Sequence, residues 1–208
     1  MNLRGLYAIT DPELTPDHSV LHQVHQAIKG GARIIQFRDK SSPDGLRLQI
    51  ALQLRALTRE YNCLLIINDD LELCLQSNAD GVHLGQEDTP VEVARQQLGR
   101  SKIIGATCHG SVDLAHSAMD KGANYLAFGR FFPSQTKPDA VPAQLSSVQD
   151  FVYNCPLPTV AIGGITLNNA APLITAGFSM LAVIQDIFGR DDTEEQCRQY
   201  RALFHTHP

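Results

Sequence analysis

The sequence predicts an α/β protein built as one compact (β/α)8 (TIM) barrel that spans residues 1–208. Eight short apolar, strand-like runs alternate with eight amphipathic stretches at a spacing of about 25 residues. Three of the early runs end abruptly in polar and charged residues, as expected when the carboxyl ends of parallel strands meet at one rim. A doubly wound open sheet is the alternative, but the first turn, Thr10-Asp11-Pro12, lacks a glycine-rich fingerprint.

Each element has its own local signal. The strands are predicted at residues 3–9, 33–37, 63–67, 81–83, 102–106, 125–128, 159–162 and 180–184. The helices are predicted at residues 18–29, 44–61, 71–77, 90–98, 111–121, 142–153, 167–176 and 193–204. In the second helix, Ile50, Leu54 and Leu57 recur at helical spacing and form one apolar face. Pivots such as Gly30-Gly31 are typical of a helix end before the next strand.

Composition excludes several classes of function. A net charge of −5 gives no reason to expect binding to nucleic acid. No apolar run approaches the roughly 18–20 residues of a membrane span, and the first residues show no signal-peptide plan. Five cysteines without CxxC spacing are typical of reduced thiols in the cytosol, so we expect a cytoplasmic protein. The partners expected are small molecules, and the sequence is silent on the oligomeric state.

An acidic pair is predicted on the rim. Asp69 follows the third strand and Asp88 follows the fourth, so the two carboxylates should be neighbours. Mg2+ prefers oxygen ligands and often takes one or two carboxylates, with substrate phosphates and water completing its shell. The sequence therefore predicts a Mg2+ site on Asp69 and Asp88. The alternative reading of Asp88 is an N-cap of the fourth helix, because Thr89-Pro90 follows it.

Cationic and amide side chains accompany the acidic pair. Arg38 and Lys40 follow the second strand with alternating direction, so both can point over the rim, where they would bind phosphate. The alternative is a solvated loop in which they pair with Asp39. Gln36 lies one step inside the barrel, where its carboxamide needs hydrogen-bond partners, and a ligand could supply them.

Two later loops are candidate anion sites. The longest irregular segment, residues 129–141, carries Ser134, Thr136 and Lys137, whose hydroxyls and ammonium could hold an oxyanion or a leaving group. Gly163-Gly164 follows the seventh strand, where barrels often bind phosphate through backbone N–H groups. A tight turn from strand to helix is the alternative reading of these glycines.

The fifth strand ends in Thr107-Cys108-His109, and this run does not predict a catalytic cysteine–histidine pair. Neighbouring residues in an extended segment face opposite ways, so Cys108 and His109 would not touch. We interpret Cys108 as structural and Thr107 as a possible hydroxyl contact, and His109 remains ambiguous between a helix start and a site residue.

Together these motifs resemble the thiamine phosphate synthase family. The resemblance runs from Leu6 to about Ile187. It rests, in chain order, on the runs LYAITD, QFRDK, ND, GVHLGQED, TK and AIGGI.

The resemblance implies a reaction and a set of residue roles. The family joins 4-amino-2-methyl-5-hydroxymethylpyrimidine diphosphate to 4-methyl-5-(2-phosphooxyethyl)thiazole and releases pyrophosphate, through a pyrimidine methylene cation. By this resemblance Mg2+ on Asp69 and Asp88 would stabilise the leaving diphosphate together with Arg38, Lys40, Asn68 and Lys137. Gln36 and Thr107 would bind the pyrimidine. The thiazole phosphate would be held by Ser134, Thr136 and the backbone of Gly163 and Gly164.

Three departures from the family pattern concern the phosphate and pyrimidine contacts. After the eighth strand the chain has Gln185-Asp186 in place of a small hydroxyl residue, and Asp186 would repel a phosphate if it pointed inward. Arg130 follows Gly129 where the family usually has proline, and Thr107 replaces a serine.

Other functions would use the same barrel differently. A thiazole tautomerase would need proton transfer, for which His109 is the candidate, and would not need the diphosphate site. A sensor that binds thiamine phosphates without turnover, and a phosphate-binding isomerase of amino-acid biosynthesis, are further alternatives. The full set of leaving-group residues favours the synthase.

Overall fold

The barrel is a closed ring of eight parallel strands in sequence order, seen in a computed structural model that describes residues 3–133 and 141–206. The ring closes because β1 pairs with β2 on one side, through Tyr7 and Ile34, and with β8 on the other, through Gly5 and Met180. The strands are β1 (Gly5–Ile9), β2 (Ile34–Phe37), β3 (Leu64–Asn68), β4 (Gly81–Leu84), β5 (Ile103–His109), β6 (Tyr125–Phe128), β7 (Thr159–Ile162) and β8 (Met180–Val183). The predicted fold class is confirmed.

Helices cover the outside of the ring. They are α1 (Val20–Gly30), α2 (Asp44–Glu60), α3 (Leu71–Gln76), α4 (Val91–Leu98), α5 (Val112–Asp120), α6 (Leu145–Asn154), α7 (Leu167–Thr175), α8 (Gln185–Phe188) and α9 (Thr193–Thr206). Side chains cap several of them: Asp70 accepts a hydrogen bond from the Leu73 N–H at the start of α3, Ser111 accepts one from Leu114 at the start of α5, and Asp192 accepts one from Glu195 at the start of α9.

The core has two layers, because strand residues alternate between the inside of the ring and the helices. The inner layer includes Tyr7, Ile66 and Tyr125. The outer layer joins strands to helices and includes Leu54 of α2 and Tyr200 of α9. The inner layer is partly polar, since it contains the hydroxyl groups of Tyr7 and Tyr125.

The prediction missed one element, the helix α8. We expected β8 to run to residue 184, but it ends at Val183 and a four-residue helix follows. Four residues are too few to show a helical period, so the sequence carried no signal for it. The β5 strand also extends further than predicted, to His109, with a register irregularity against β6 between Thr107 and His109.

Two further observations concern the cysteines and the lengths of the helices. All five cysteines are unbridged, and burial raises the pKa of Cys108 to about 12, which suits a structural thiol. Within residues 3–133 and 141–206, no helix is long and apolar enough to span a bilayer.

In a two-layer core, the loss of stability on truncating a helix side chain should depend on whether that side chain faces the strands or the solvent. Leu54→Ala should lower the free energy of unfolding by about 2–5 kcal/mol, because Leu54 is fully buried between α2 and the strands. Leu52→Ala is the matched control on the same helix. Leu52 is 48% exposed, so its change should stay within about 0.5 kcal/mol. Urea denaturation of both variants checks the prediction, and equal losses would contradict it.

Candidate active site

The two carboxylates of the predicted acidic pair meet at the carboxyl rim of the barrel. Asp69 follows β3 in a left-handed conformation (φ 64°), and its N–H donates to the His83 carbonyl of β4 (2.9 Å). Asp88 is turned back toward its own loop, where Oδ2 accepts from the Gly85 N–H (2.7 Å). The two side chains are close enough for each to shift the pKa of the other. The N-cap reading of Asp88 was wrong, since α4 begins after Pro90 without a side-chain cap.

The pKa values of Asp69 and Asp88 are shifted in opposite directions. Burial and the neighbouring Asp69 carboxylate raise the pKa of Asp88. Burial acts on Asp69 too, but hydrogen bonds from Lys40 and Asp88 outweigh it and lower the pKa of Asp69. Two adjacent carboxylates repel each other when both are charged. A divalent cation between them would favour the charged form of both, so this pair suits a divalent cation.

One cation and one amide contact the Asp69 carboxylate of the acidic pair. Lys40 Nζ lies 2.8 Å from Asp69 Oδ2, and Asn68 Nδ2 donates to the same oxygen (2.7 Å). Arg38 does not pair with Asp39, because its guanidinium lies 3.5 Å from Asp11 after β1. Asp39 instead accepts hydrogen bonds from Ser41 and Ser42. Neither Arg38 nor Lys40 therefore pairs with Asp39, as the alternative reading of these cations required.

These residues line an open cavity of about 450 Å3 at the rim. Its walls combine carboxylates, cations and hydroxyls: Asp39, Lys40, Ser42, Asp44, Arg47, Asn68, Asp69, Asp70 and Asp88. A cavity of about 550 Å3 also lies in the helix layer, lined by residues of α1, α8 and α9 and by the link between α8 and α9. We place the candidate site in the smaller cavity, because residues after β2, β3 and β4 converge there.

A chain of hydrogen bonds crosses the inside of the barrel beneath the rim. Gln36 Nε2 donates to the Tyr7 hydroxyl (2.7 Å), which shares a hydrogen bond with the Tyr125 hydroxyl (2.8 Å). The Tyr125 hydroxyl lies 2.9 Å from His83 Nδ1, and His83 Nε2 lies 2.9 Å from Thr107 Oγ1. We call these five residues the buried polar chain. It links Gln36 and Thr107, the two residues predicted to bind a pyrimidine.

Sequence reasoning missed the three middle members of the buried polar chain. Tyr7, His83 and Tyr125 are buried, with 1%, 9% and 0% of their surface exposed. In the sequence, a histidine or a tyrosine in an apolar strand looks like an ordinary core residue. The available signal was the inward position of these residues on β1, β4 and β6, where a hydroxyl or imidazole needs a partner.

The glycines after β7 support the base of the long loop between β6 and α6. Gly163 (φ 99°) and Gly164 (φ 63°) adopt a conformation that side chains disfavour. The Gly163 carbonyl accepts from the Phe132 N–H (3.0 Å), and a Cβ on Gly164 would lie 2.2 Å from the Pro133 carbonyl oxygen. The Gly164 N–H donates to no described residue, so the turn keeps a backbone donor available for an anion.

The remaining predicted residues fall in three places. Ser134, Thr136 and Lys137 lie outside the described residues. His109 is exposed at the end of β5. Asp186 is 4% exposed and faces the helix layer, where it accepts hydrogen bonds from Tyr200 (2.7 Å) and Gln196 (2.9 Å). Its carboxylate is therefore engaged with protein donors.

The donor set fits a cation that is completed by substrate. Among the described residues no group of three or more histidine, cysteine, aspartate or glutamate side chains could hold a metal ion. Two adjacent carboxylates, one with a raised pKa, suit Mg2+, which often binds few protein ligands and takes its remaining oxygens from phosphate and water.

A family model described as thiamine monophosphate synthase matches residues 6–187 of this barrel. The chain belongs to this family. A thiamine-phosphate synthase of Alcanivorax borkumensis is 50% identical over 98% of the chain and 95% of its own length. A thiamine-phosphate synthase of Thioalkalivibrio sulfidiphilus is 47% identical over 97% of the chain and 96% of its own length.

The structure of a thiamine phosphate pyrophosphorylase from Pyrococcus furiosus superposes with a TM-score of 0.90 at 37% identity, covering 99% of this chain and 97% of that one. The predicted family is thereby confirmed, and the chain is an enzyme of the transferase class.

The glycine turn of this synthase-family barrel predicts a position-specific cost. Gly164→Ala should lower the free energy of unfolding by about 1–3 kcal/mol, because the new Cβ meets the Pro133 carbonyl at a left-handed φ. Gly45→Ala in the first turn of α2 is the control. No atom lies within 4 Å of its added Cβ, so this change should be neutral or stabilising by up to about 1 kcal/mol. Thermal and urea unfolding would show the difference, and equal effects would contradict the packing role.

Proposed function

We propose that the protein is a thiamine-phosphate synthase. It would join 4-amino-2-methyl-5-hydroxymethylpyrimidine diphosphate to 4-methyl-5-(2-phosphooxyethyl)thiazole and release pyrophosphate. The observation that carries the proposal is the adjacent pair Asp69 and Asp88 with Lys40 on one carboxylate, on the rim of a barrel of this family. A diphosphate bound to a cation needs this combination of charges.

The chemical step is a substitution at the pyrimidine methylene carbon. The bond from this carbon to the diphosphate oxygen breaks, and its electron pair leaves with the diphosphate. The thiazole nitrogen then supplies a lone pair to the resulting cation. Arg38 and Lys40 would stabilise the negative charge that grows on the leaving oxygens, and Lys137, outside the described residues, is assigned the same role. Asn68 would donate a hydrogen bond to the same group.

Asp69 and Asp88 would hold Mg2+, whose charge would neutralise the diphosphate. The chain's own residues position this site. The left-handed turn at Asp69 and the hydrogen bond from Gly85 to Asp88 fix both carboxylates before any ligand binds. Such preorganisation avoids a rearrangement cost during the reaction.

The two organic substrates would occupy different parts of the mouth. Gln36 and Thr107, at the ends of the buried polar chain, would bind the pyrimidine. The N–H groups of Gly163 and Gly164 would bind the thiazole phosphate together with Ser134 and Thr136. The thiazole nitrogen carries no proton, so bond formation needs no general base. His109, exposed at the end of β5, is given no role in this step.

A pyrophosphate-release assay tests the proposal. Purified protein should release pyrophosphate only when both substrates and Mg2+ are present, because the diphosphate leaves only when it is neutralised and the thiazole can capture the cation. Mass spectrometry should find thiamine phosphate in the same mixture. Binding of thiamine phosphate in calorimetry without any release would contradict the proposal and favour a sensor or a tautomerase.

The acidic pair predicts a loss that depends on charge. Asp69→Asn and Asp88→Asn keep the shape of the side chain but remove its charge, so each should lower kcat at least about 100-fold. Asp113→Asn is the control, since Asp113 is exposed in the first turn of α5 and should leave turnover unchanged. Circular dichroism should show all three variants folded. Normal turnover of either rim variant would remove that residue from the site.

A further inference from the structure

The buried polar chain can run in one direction only, given the orientation of its first member. Gln36 presents Nε2 to Tyr7, and an amide nitrogen only donates, so the Tyr7 oxygen accepts this bond. The single Tyr7 proton then has to go elsewhere. Among the described residues, the other partner of the Tyr7 hydroxyl is the Tyr125 hydroxyl at 2.8 Å. Tyr7 therefore donates to Tyr125, because a buried hydroxyl proton without an acceptor costs about 1–3 kcal/mol.

The direction of these hydrogen bonds determines which ring nitrogen of His83 carries its proton. Once the Tyr125 oxygen accepts from Tyr7, its own proton goes to His83 Nδ1, which lies 2.9 Å away. Burial raises the pKa of both tyrosines, so each hydroxyl keeps its proton. A neutral imidazole whose Nδ1 accepts carries its proton on Nε2. His83 Nε2 therefore donates to Thr107 Oγ1, at 2.9 Å.

The two ends of the chain are left with opposite hydrogen-bonding character. Thr107 Oγ1 accepts from His83 and retains its own proton, which no other described residue accepts. Gln36 Oε1 accepts from no described residue. The first end therefore offers a donor and the second an acceptor. Both lie near the carboxyl ends of their strands, β5 and β2.

We infer that Tyr7, Tyr125 and His83 are positioning residues that fix the polarity of the barrel mouth, an acceptor at Gln36 and a donor at Thr107. This inference rests on the proposed function for its ligand, which is a heterocycle with an N–H donor and a ring-nitrogen acceptor. An aminopyrimidine has both groups. A hydroxypyrimidine in its keto form presents a carbonyl where the amine stood, so it would face the Gln36 oxygen with a second acceptor and be rejected.

The tautomer of His83 tests the direction without any substrate. Protein labelled with 15N in histidine would be studied by long-range 1H–15N NMR, with His83→Asn identifying the His83 resonances. We expect Nδ1 at the shift of an unprotonated ring nitrogen and Nε2 at that of a protonated one. The reverse assignment would overturn the inference even if pyrophosphate release is normal. The expected tautomer without turnover would instead count against the proposed function alone.

Breaking the chain in the middle tests its role in binding. Tyr125→Phe removes the link while leaving Gln36 and Thr107 in place. We expect KM for the pyrimidine diphosphate to rise roughly tenfold, as for the loss of about one hydrogen bond, with KM for the thiazole phosphate unchanged. His83 should then show mixed tautomers, because its Nδ1 has lost the Tyr125 donor.

Tyr200→Phe is the matched control for Tyr125→Phe. It also removes a buried hydroxyl, one that donates to Asp186 in the helix layer (2.7 Å). It should cost stability without changing either KM or the His83 tautomer. If the two variants have the same effect on KM, or if Tyr125→Phe leaves the pyrimidine KM unchanged, the positioning role is overturned.

Discussion

All eight strands of the ring point the same way, because every connection between neighbouring strands passes through the outer helical layer. This common direction brings residues that are far apart in sequence to one rim. Lys40 after β2, Asp69 after β3 and Asp88 after β4 are neighbours there only because their strands are adjacent and parallel. The charges of the site then depend on each other, since Lys40 lowers the pKa of Asp69 and Asp69 raises that of Asp88.

The inside of the barrel combines apolar packing with a polar path. Ile34 and Ile66 fill the interior, while hydroxyl and imidazole groups of β1, β4 and β6 hydrogen bond through it. Such groups are costly to bury singly and acceptable when each is satisfied. Ring contacts add to the order of this path, since His83 and Tyr125 stack with centroids 5.6 Å apart. The interior therefore supports the floor of the site as well as the fold.

Much of this architecture was predictable because it follows from local patterns. Apolar runs of three to seven residues and amphipathic stretches indicated all eight strands and eight of the nine described helices. Rim residues such as Asp69 and Lys40 were predictable because charges directly after a buried strand have few structural reasons to be there. Tyr7 and Tyr125 were not, because an inward hydroxyl on an apolar strand looks like core packing until its partner across the barrel is known.

Other features depend on contacts between distant segments that no local pattern encodes. The pairing of Arg38 with Asp11 rather than Asp39 depends on the geometry between β1 and β2. The role of Gly163 and Gly164 depends on the backbone of residues 131–133, which rests against them. The sequence suggested a phosphate turn or a tight turn, and the turn carries the base of the preceding loop as well.

Asp186 ties the end of the barrel to the last helix. Its carboxylate follows β8 and is buried against Tyr200 and Gln196 of α9, and it also accepts from the Leu167 N–H at the start of α7. During synthesis, Asp186 leaves the ribosome before Gln196 and Tyr200, which supply two of these donors. A charged carboxylate stays in water until its partners arrive. The junction of α7 and β8 therefore becomes fully packed only after the final helix has emerged, which makes the C-terminal segment the last step in assembling the barrel.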